Sequence, residues 1–466
     1  MHLVWFRQDL RIHDHSALWH ACREARKNDQ PVVAVVAITP KQWAQHDDAP
    51  VKQSLYYRSL ECLSSALNSL NIPLKIINSD FYTGLPDQFK SLCEDLKVSD
   101  FHFHYSYEIN ERQCEKAIVS ALDELEVRSK GYTDQIYYEP GSILTGQGDY
   151  YTVFTPFKKN LWPRLMDDTP VVHHAPSAQA KTHINSDPLH FWLDEHIRED
   201  LWPAGEDEAS QRLHRFTEQK LGYYEDKRDF PAIAGTSTLS PYLALGMISP
   251  RQCLRSAMSL LGEARSAKGA ETWISELIWR EFYKHILVGF PRVSRHKPFK
   301  EDTDNLHWRT SEKELKRWQQ GETGYPLVDA AMKQLLQTGW MHNRLRMVSA
   351  MFLTKHLLID WRLGEQWFMQ HLVDGDLSAN NGGWQWSAST GTDAAPYFRI
   401  FNPVTQSERF DKDGQFIKRF LPALKPLSGK ELHAPWKSKT PPNEYPAPIV
   451  EHGFARQRAL DAFKNL

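Results

Sequence analysis

The run PVVAVVAI (residues 31–38) decides how the first part of the chain is read. It is short, apolar and rich in β-branched residues, which describes a strand. Outward from it, HLVWF (2–6), PLKIIN (73–78) and DFHFHY (100–105) read the same way. Helical periodicity lies between them, with Leu55, Leu60, Leu63, Leu67 and Leu70 marking one helix and Cys114, Ile118, Leu122 and Leu125 another. Strand and helix in alternation is how βαβ units build a parallel sheet, so residues 1–135 are expected to form a Rossmann-like α/β domain.

From about residue 168 the pattern dissolves into Pro170, His173, His174, Pro176, Ser177 and Pro188, and residues 136–205 are read as a connecting segment. The adjacent His173 and His174 have no further placed ligands, so they are taken as solvated and no metal is expected. Residues 206–466 turn helical. GTSTLSPYLALGMISPRQCLRSAMSLL (235–261), ETWISELIWREFYKHILVGF (271–290), YPLVDAAMKQLLQTG (325–339) and HNRLRMVSAMFLTKHLLI (342–359) carry apolar residues at three-and-four spacing. No period repeats along the chain, which argues against a solenoid. The stretch PWKSKTPPNEYPAP (435–448) is proline-rich and expected to lie extended over the surface.

A chain of 466 residues exceeds what one hydrophobic core usually supports, so two or three domains are expected. The formal net charge of −2 means that attraction to nucleic acid or anionic lipid must come from a local basic patch. Cys22, Cys62, Cys93, Cys114 and Cys253 are odd in number and show no CxxC spacing, which speaks against a zinc site or a disulfide framework. The start MHLVWFRQDL is too charged for a signal peptide, and no apolar run reaches the roughly 20 residues of a membrane span. A soluble, cytoplasmic monomer is expected. Aromatic residues make up 12% of the chain, with 16 tryptophans, more than a core alone requires.

Several stretches combine chemistry with spacing. Trp273, Glu276, Arg280 and Tyr283 share one broad helix face, either a polar site wall or a buried Glu–Arg pair among core tryptophans. Trp340, Asn343 and Met347 fall on a second face with Arg346 beside them, and a buried amide without a partner would cost roughly 1–3 kcal/mol. GTSTLS (235–240) offers hydroxyls and N–H groups ahead of a helix, suited to a pyrophosphate and equally to an ordinary N-cap. Neither GxGxxG after the first strand nor GxxxxGK[ST] is present.

DGDLSANNGGWQWSASTGTDAAPYFRIFNP (374–403) surrounds Trp384 and Trp386 with small residues. Gly382 and Gly383 permit close backbone approach or a positive φ, and Asp374 and Asp376 flank Gly375 so that both carboxylates can address one polar object. With no histidine in the stretch, a flat heteroaromatic with hydrogen-bonding edges explains these residues better than a metal.

Taken in order, WFRQDLR (5–11), TVFTPFKK (152–159), RDFP (228–231), GTSTLSPYLALGMISPRQ (235–252), ELIWREFY (276–283), TGYPLVDAAM (323–332), GWMHNRLRM (339–347) and the 374–403 stretch resemble the photolyase/cryptochrome family. Within it the chain is most similar to class I photolyases that repair cyclobutane pyrimidine dimers. The resemblance implies an α/β antenna domain, a linker and a mainly α-helical domain holding FAD. It implies a carbon–carbon lyase acting on UV-damaged DNA: light-driven electron donation from FADH⁻ to a flipped-out dimer, splitting of two ring bonds, and return of the electron.

By the same resemblance, Asn380 would face flavin N5, Arg346 and Asp374 would pair beside the ring, and Gly375, Asp376, Asn343 and Trp273 would lie near it. Tyr224, Thr236, Ser237, Thr238, Leu239 and Ser240 would take the phosphate side. Glu276 and Met347 would contact the lesion, with Trp279, Trp386, Tyr283 and Asn343 around it. Arg228, Arg280, Arg344 and Arg399 would meet DNA phosphates. Trp384, Trp361 and Trp308 match the tryptophan chain through which flavin is re-reduced. YEINER (107–112) resembles the antenna motif, with Asn110 and Glu111 for 5,10-methenyltetrahydrofolate, while a deazaflavin or an empty pocket stays open. The family's further antenna contact, often Cys-Lys before HKPF, is Ser294-Arg295 here. A cryptochrome-type photoreceptor is the alternative within the family. Repair of the (6-4) photoproduct is disfavoured because Asn343 and Met347 stand where those enzymes place histidines, and a flavin oxidoreductase is the generic alternative outside it.

Overall fold

The computed structural model describes residues 1–190, 197–464 and 466. Contacts divide the chain into two compact units, residues 1–222 with 237–289, and residues 223–236 with 290–466.

The first unit is built on a five-stranded parallel sheet of order β3-β2-β1-β4-β5, with β1 His2–Phe6, β2 Val32–Ile38, β3 Leu74–Asn78, β4 Asp100–His104 and β5 Arg128–Tyr132. Alternation sends Leu3, Trp5, Val33, Val35, Phe101 and Phe103 to one face, where Phe89, Ile118 and Leu122 of two flanking helices complete a core cluster. The other face of β4 is polar yet buried. His104 Nε2 accepts from Ala17 N (3.1 Å) and His15 Nδ1 from Leu18 N (3.0 Å), capping the first turn of the Ser16–Lys27 helix. Their remaining ring nitrogens meet Asp9 Oδ2 at 2.7 and 3.1 Å, so this buried trio satisfies itself.

The strand β5, RSKGY, escaped the sequence reading because it lacks β-branched residues. Glycine is needed within it, since a Cβ on Gly131 would sit 2.2 Å from the Tyr105 ring. The described part of the connecting segment is not loose. Asp187 N donates to Leu74 O (2.8 Å), Ile76 N to Asp187 Oδ2 (2.9 Å) and Leu74 N to Ser186 Oγ (3.1 Å), which covers the β3 edge of the sheet. His173 is stacked on Trp19, rings 4.3 Å apart, rather than solvated. Residues 191–196 of the expected segment lie outside the described residues.

Residues 237–289 belong with this sheet rather than with the rest of the helical half. The reason is a buried ion network: Arg251 Nε donates to Asp14 Oδ2 (2.9 Å), while Arg11 and Arg251 both reach Asp134 Oδ1 at 2.6 Å. Gly246, at φ +64, brings its backbone where a Cβ would lie 2.0 Å from Gln8 O. The Pro250–Met258 helix begins on a Ser249–Gln252 capping box, and the Ala267–Gly289 helix follows.

The second unit is helical, with Pro326–Thr338, Asn343–Met351, Trp361–Met369 and Leu377–Ala388 gathered around Trp318, Leu335, Phe352, Trp361, Phe368 and Trp384. The predicted helix over 342–359 breaks into a π-turn at Phe352–His356. The proline-rich stretch is pinned, not merely draped: Pro435 is buried, Tyr445 OH donates to Asp329 Oδ2 (2.5 Å) and Ile449 N to Thr323 O (2.9 Å). A further helix, His452–Lys464, ends the fold.

Candidate functional site

In the second unit the 374–403 stretch begins as a helix, and of the two uses expected of its glycines only close approach is open. Gly382 and Gly383 lie inside Leu377–Ala388, and neither takes a positive φ. A Cβ on Gly383 would meet nothing within 4 Å, so that helix face offers open space. Asp374 and Asp376 do not converge on one object. Asp376 is the N-cap, accepting from Ala379 N at 3.1 Å and from the Ser378 hydroxyl. Asp374 instead takes both oxygens to Arg346, at 3.0 and 2.7 Å from the same terminal nitrogen, while Arg346 Nε donates to Met341 O (2.8 Å). The expected Arg346–Asp374 ion pair is present, with the carboxylate 3% and the guanidinium 27% exposed.

Asn380, one turn into the same helix, donates from its NH₂ to Glu365 O at 2.9 Å. That bond fixes the amide and leaves Oδ1 as an acceptor facing away. A reduced flavin carries an N–H at N5, so an ordered amide acceptor, a neutralised ion pair and an unfilled glycine face fit the donor and shape demands of that cofactor.

The neighbouring Asn343–Met351 helix corrects one expectation: Asn343 is exposed, so no buried-amide cost arises. Its N-cap His342 is buried, and its Nδ1 accepts from Arg344 N (3.2 Å). Burial lowers this imidazole to about 4, which keeps it neutral and able to accept. Arg344 pairs with Asp229 (2.8 Å), lies 4.6 Å over the Phe410 ring and reaches the Met347 sulfur at 3.9 Å. Tyr224 is buried beneath the Arg228 guanidinium, 5.5 Å from its ring, and Thr236 is half-buried. Arg399 is exposed, on the loop that hangs from Trp386 through Ala395 N→Trp386 O (3.2 Å), and Trp386 is half-buried.

Trp384 and Trp361 are 2% and 1% exposed within the apolar cluster of this unit, and half-buried Trp308 packs against the same cluster. The set therefore grades from interior to surface.

In the first unit, the Ala267–Gly289 helix buries Ile274, Leu277, Ile278 and Phe282 and leaves Glu276, Trp279, Arg280 and Tyr283 half-buried. Trp279 lies flat on Phe154, rings 3.7 Å apart and 6° from parallel, with Tyr283 at 5.6 Å. Trp273 is buried against Phe216 (4.8 Å). Arg280 is committed to the carbonyls of Gln135 and Leu243, which makes it a poorer phosphate contact than the sequence suggested. GTSTLS leads into a helix of only five residues, Ser240–Ala244. Thr238 holds φ +54, accepts from Arg212 (3.1 Å) and donates to Ser237 O (2.7 Å).

At the other candidate site, Asn110 and Glu111 open the Ile109–Asp123 helix. The structure brings His46 and Tyr82 to them: Asn110 Nδ2 lies 3.0 Å from His46 Nε2, His46 Nδ1 3.3 Å from Glu111 Oε1, and Tyr82 OH donates to that oxygen at 3.1 Å. Sequence reasoning missed both partners, because no local spacing links residues 46 and 82 to 110. Burial works to lower His46, but the bond from Glu111 prevails and raises it.

A family profile described as DNA photolyase matches residues 2–177, and one described as FAD binding domain of DNA photolyase matches residues 273–465. The chain is 45% identical to the deoxyribodipyrimidine photo-lyase of Escherichia coli (strain K12), over 99% of this chain and 98% of that one. It is 41% identical to the protein of the same name from Vibrio cholerae, over 100% and 99%. Among solved structures, a class III photolyase from Agrobacterium tumefaciens superposes with a TM-score of 0.88 at 35% identity, covering 100% of this chain and 97% of that one. A Synechocystis cryptochrome gives 0.85 at 28%, covering 99% and 98%.

Proposed function

The chain belongs to the DNA photolyase family, and on that premise we propose that it is a light-driven lyase that splits cyclobutane pyrimidine dimers in UV-damaged DNA. The observation that carries this reading is Asn380, whose amide is locked to Glu365 O so that its oxygen is available as an acceptor. Reduced FAD, when bound, supplies the light-driven electron and receives it back, so there is no net redox change.

The protein's own groups do the rest. With its nitrogen held by Glu365 O, Asn380 would accept from the N5–H of the bound cofactor, and the Arg346–Asp374 pair would present a fixed dipole to it. Gly375, Asp376 and Trp273 shape the cofactor's surroundings, with Asn343 at the edge. Tyr224 and residues Thr236 to Ser240 take the phosphates. Glu276 hydrogen-bonds the pyrimidine edges, Met347 contacts them, and Trp279 and Trp386 stack on the extruded pair with Tyr283 alongside. Phe154 already covers one face of Trp279, so stacking on the lesion uses the other. Extrusion costs least where the lesion has already weakened pairing, and that difference selects damaged sites. Arg344, Arg228 and Arg399 meet the DNA backbone, with Arg280 a lesser contributor, and binding weakens with salt as each phosphate contact releases counterion. Trp384, Trp361 and Trp308 relay electrons inward from the surface to keep the cofactor reduced. Asn110 and Glu111, joined by His46, hold a methenyltetrahydrofolate antenna. The acting unit is a monomer on cellular DNA. Among the described residues, no helix is long and apolar enough to cross a membrane.

Illuminating the reduced protein with an oligonucleotide carrying one thymine dimer should restore the absorbance of the two bases. Binding of the dimer without restoration under blue light overturns repair and leaves the photoreceptor reading.

A further inference from the structure

The Ala267–Gly289 helix buries a lysine immediately after Tyr283. Lys284 has no exposed side-chain surface, and its ammonium donates to Glu108 Oε1 at 2.8 Å. A buried ammonium is costly unless paired and hydrogen-bonded, so Glu108 cannot move away from it cheaply.

Glu108 is the N-cap residue of the Ile109–Asp123 helix, yet its side chain makes no capping bond. Its second oxygen accepts from Tyr107 N at 3.1 Å. The carboxylate at the helix start is turned toward Lys284 and not toward the first-turn N–H groups. The first turn of that helix is therefore registered from outside, by a residue 176 positions further along the chain. Asn110 and Glu111 are the second and third residues after Glu108, and any shift of the cap moves both away from His46 and Tyr82.

We propose that Lys284 is the positioning residue of the antenna cleft. Through Glu108 it sets the helix start so that Asn110, Glu111 and His46 converge on a pterin-type chromophore. The proposal rests on the antenna reading above.

The test uses flavin-loaded wild type, Lys284→Met, Lys284→Arg and the charge-neutral double variant Lys284→Met with Glu108→Gln, each titrated with 5,10-methenyltetrahydrofolate. Occupancy is read from the folate's own absorbance, and energy transfer from the quenching of its fluorescence. Lys284→Met should weaken folate binding roughly tenfold, the lower end of what outer partners of metal ligands contribute, and should reduce quenching per bound folate. Flavin content and repair under light absorbed by flavin alone should stay at wild-type levels, and Lys284→Arg should restore binding. Should Lys284→Met fail to fold, the double variant, which removes both charges of the pair, is expected to show the same selective folate loss. Wild-type affinity and quenching in Lys284→Met, or in the double variant if that is the one that folds, overturns the positioning role. Equal loss of flavin and folate overturns it too, since that marks general packing. Failure of wild type to take up folate overturns the antenna reading itself, and the proposal with it.

Discussion

Replacing Gly364 by alanine sets two effects against each other. In the interior of the Trp361–Met369 helix, alanine is favoured over glycine by about 1 kcal/mol on propensity alone. A Cβ at that position, however, would lie 2.1 Å from Trp384 Cη2, 2.4 Å from Cζ3 and 2.7 Å from Leu353 Cδ2. Carbon atoms rest no closer than about 3.5 Å, so the indole edge must retreat by about 1.4 Å from its 2.1 Å position. It has little room, with the Phe368 ring 4.9 Å and the Trp318 ring 5.9 Å away. Overpacking costs about 1–3 kcal/mol, and a clash this deep belongs at the upper end, which leaves a net loss of about 2 kcal/mol. Urea unfolding followed by tryptophan fluorescence measures the loss. Flash photoreduction of bound flavin should slow because Trp384 has moved, while repair by already reduced protein persists. A Gly364→Ala protein as stable as wild type, with unchanged photoreduction, refutes the reasoning.

Arg346→Met leaves Asp374, 3% exposed, without its partner, and should cost about 3–5 kcal/mol at neutral pH. Urea unfolding measures the loss, and a deficit below about 1 kcal/mol, as for an exposed pair, contradicts this account. Trp308→Phe should impair photoreduction and spare repair by reduced protein, whereas Glu276→Ala should impair repair and spare flavin binding; equal loss of both activities in either variant speaks against these roles. Acid should destabilise the protein. Burial lowers His15, His285 and His342 to about 4 and His102 and His356 to about 3, from 6.5. Groups held neutral in this way contribute stability above pH 6.5 that is lost as pH falls toward their folded values. Glu281, raised by burial to about 7, works the other way between that pH and its ordinary 4.5. His2, His20, His173, His371 and His452 are lowered too, so the lowered histidines outnumber the raised groups Glu281, His13, His46, Asp329 and Asp411. The melting temperature should decline below pH 6.5, and calorimetry showing a flat profile down to pH 4.5 counts against it.

The sheet was legible because a strand's signature is local: the runs at 2–6, 31–38, 73–78 and 100–105 needed only their own residues to be recognised, and the structure moves their ends by a residue at most. Arg346 and Asp374 could be paired from the family resemblance, although they stand 28 positions apart. Other features depend on neighbours that no local period announces. RSKGY is a strand because β4 offers its edge and Gly131 lets Tyr105 lie across it. Asn343 is exposed, and Arg280 is spent on backbone carbonyls, because helix spacing fixes a face but not what that face meets. The amino-acid order by itself determined the periodicities, the tryptophan and glycine content of the 374–403 stretch and the residue types available for chemistry. Only the folded chain decided that the Asn380 amide nitrogen is spent on Glu365 O, that His46 and Tyr82 join Glu111, and that Lys284 holds Glu108. These are partnerships between distant segments, and their geometry exists only once packing has fixed the backbone that carries them.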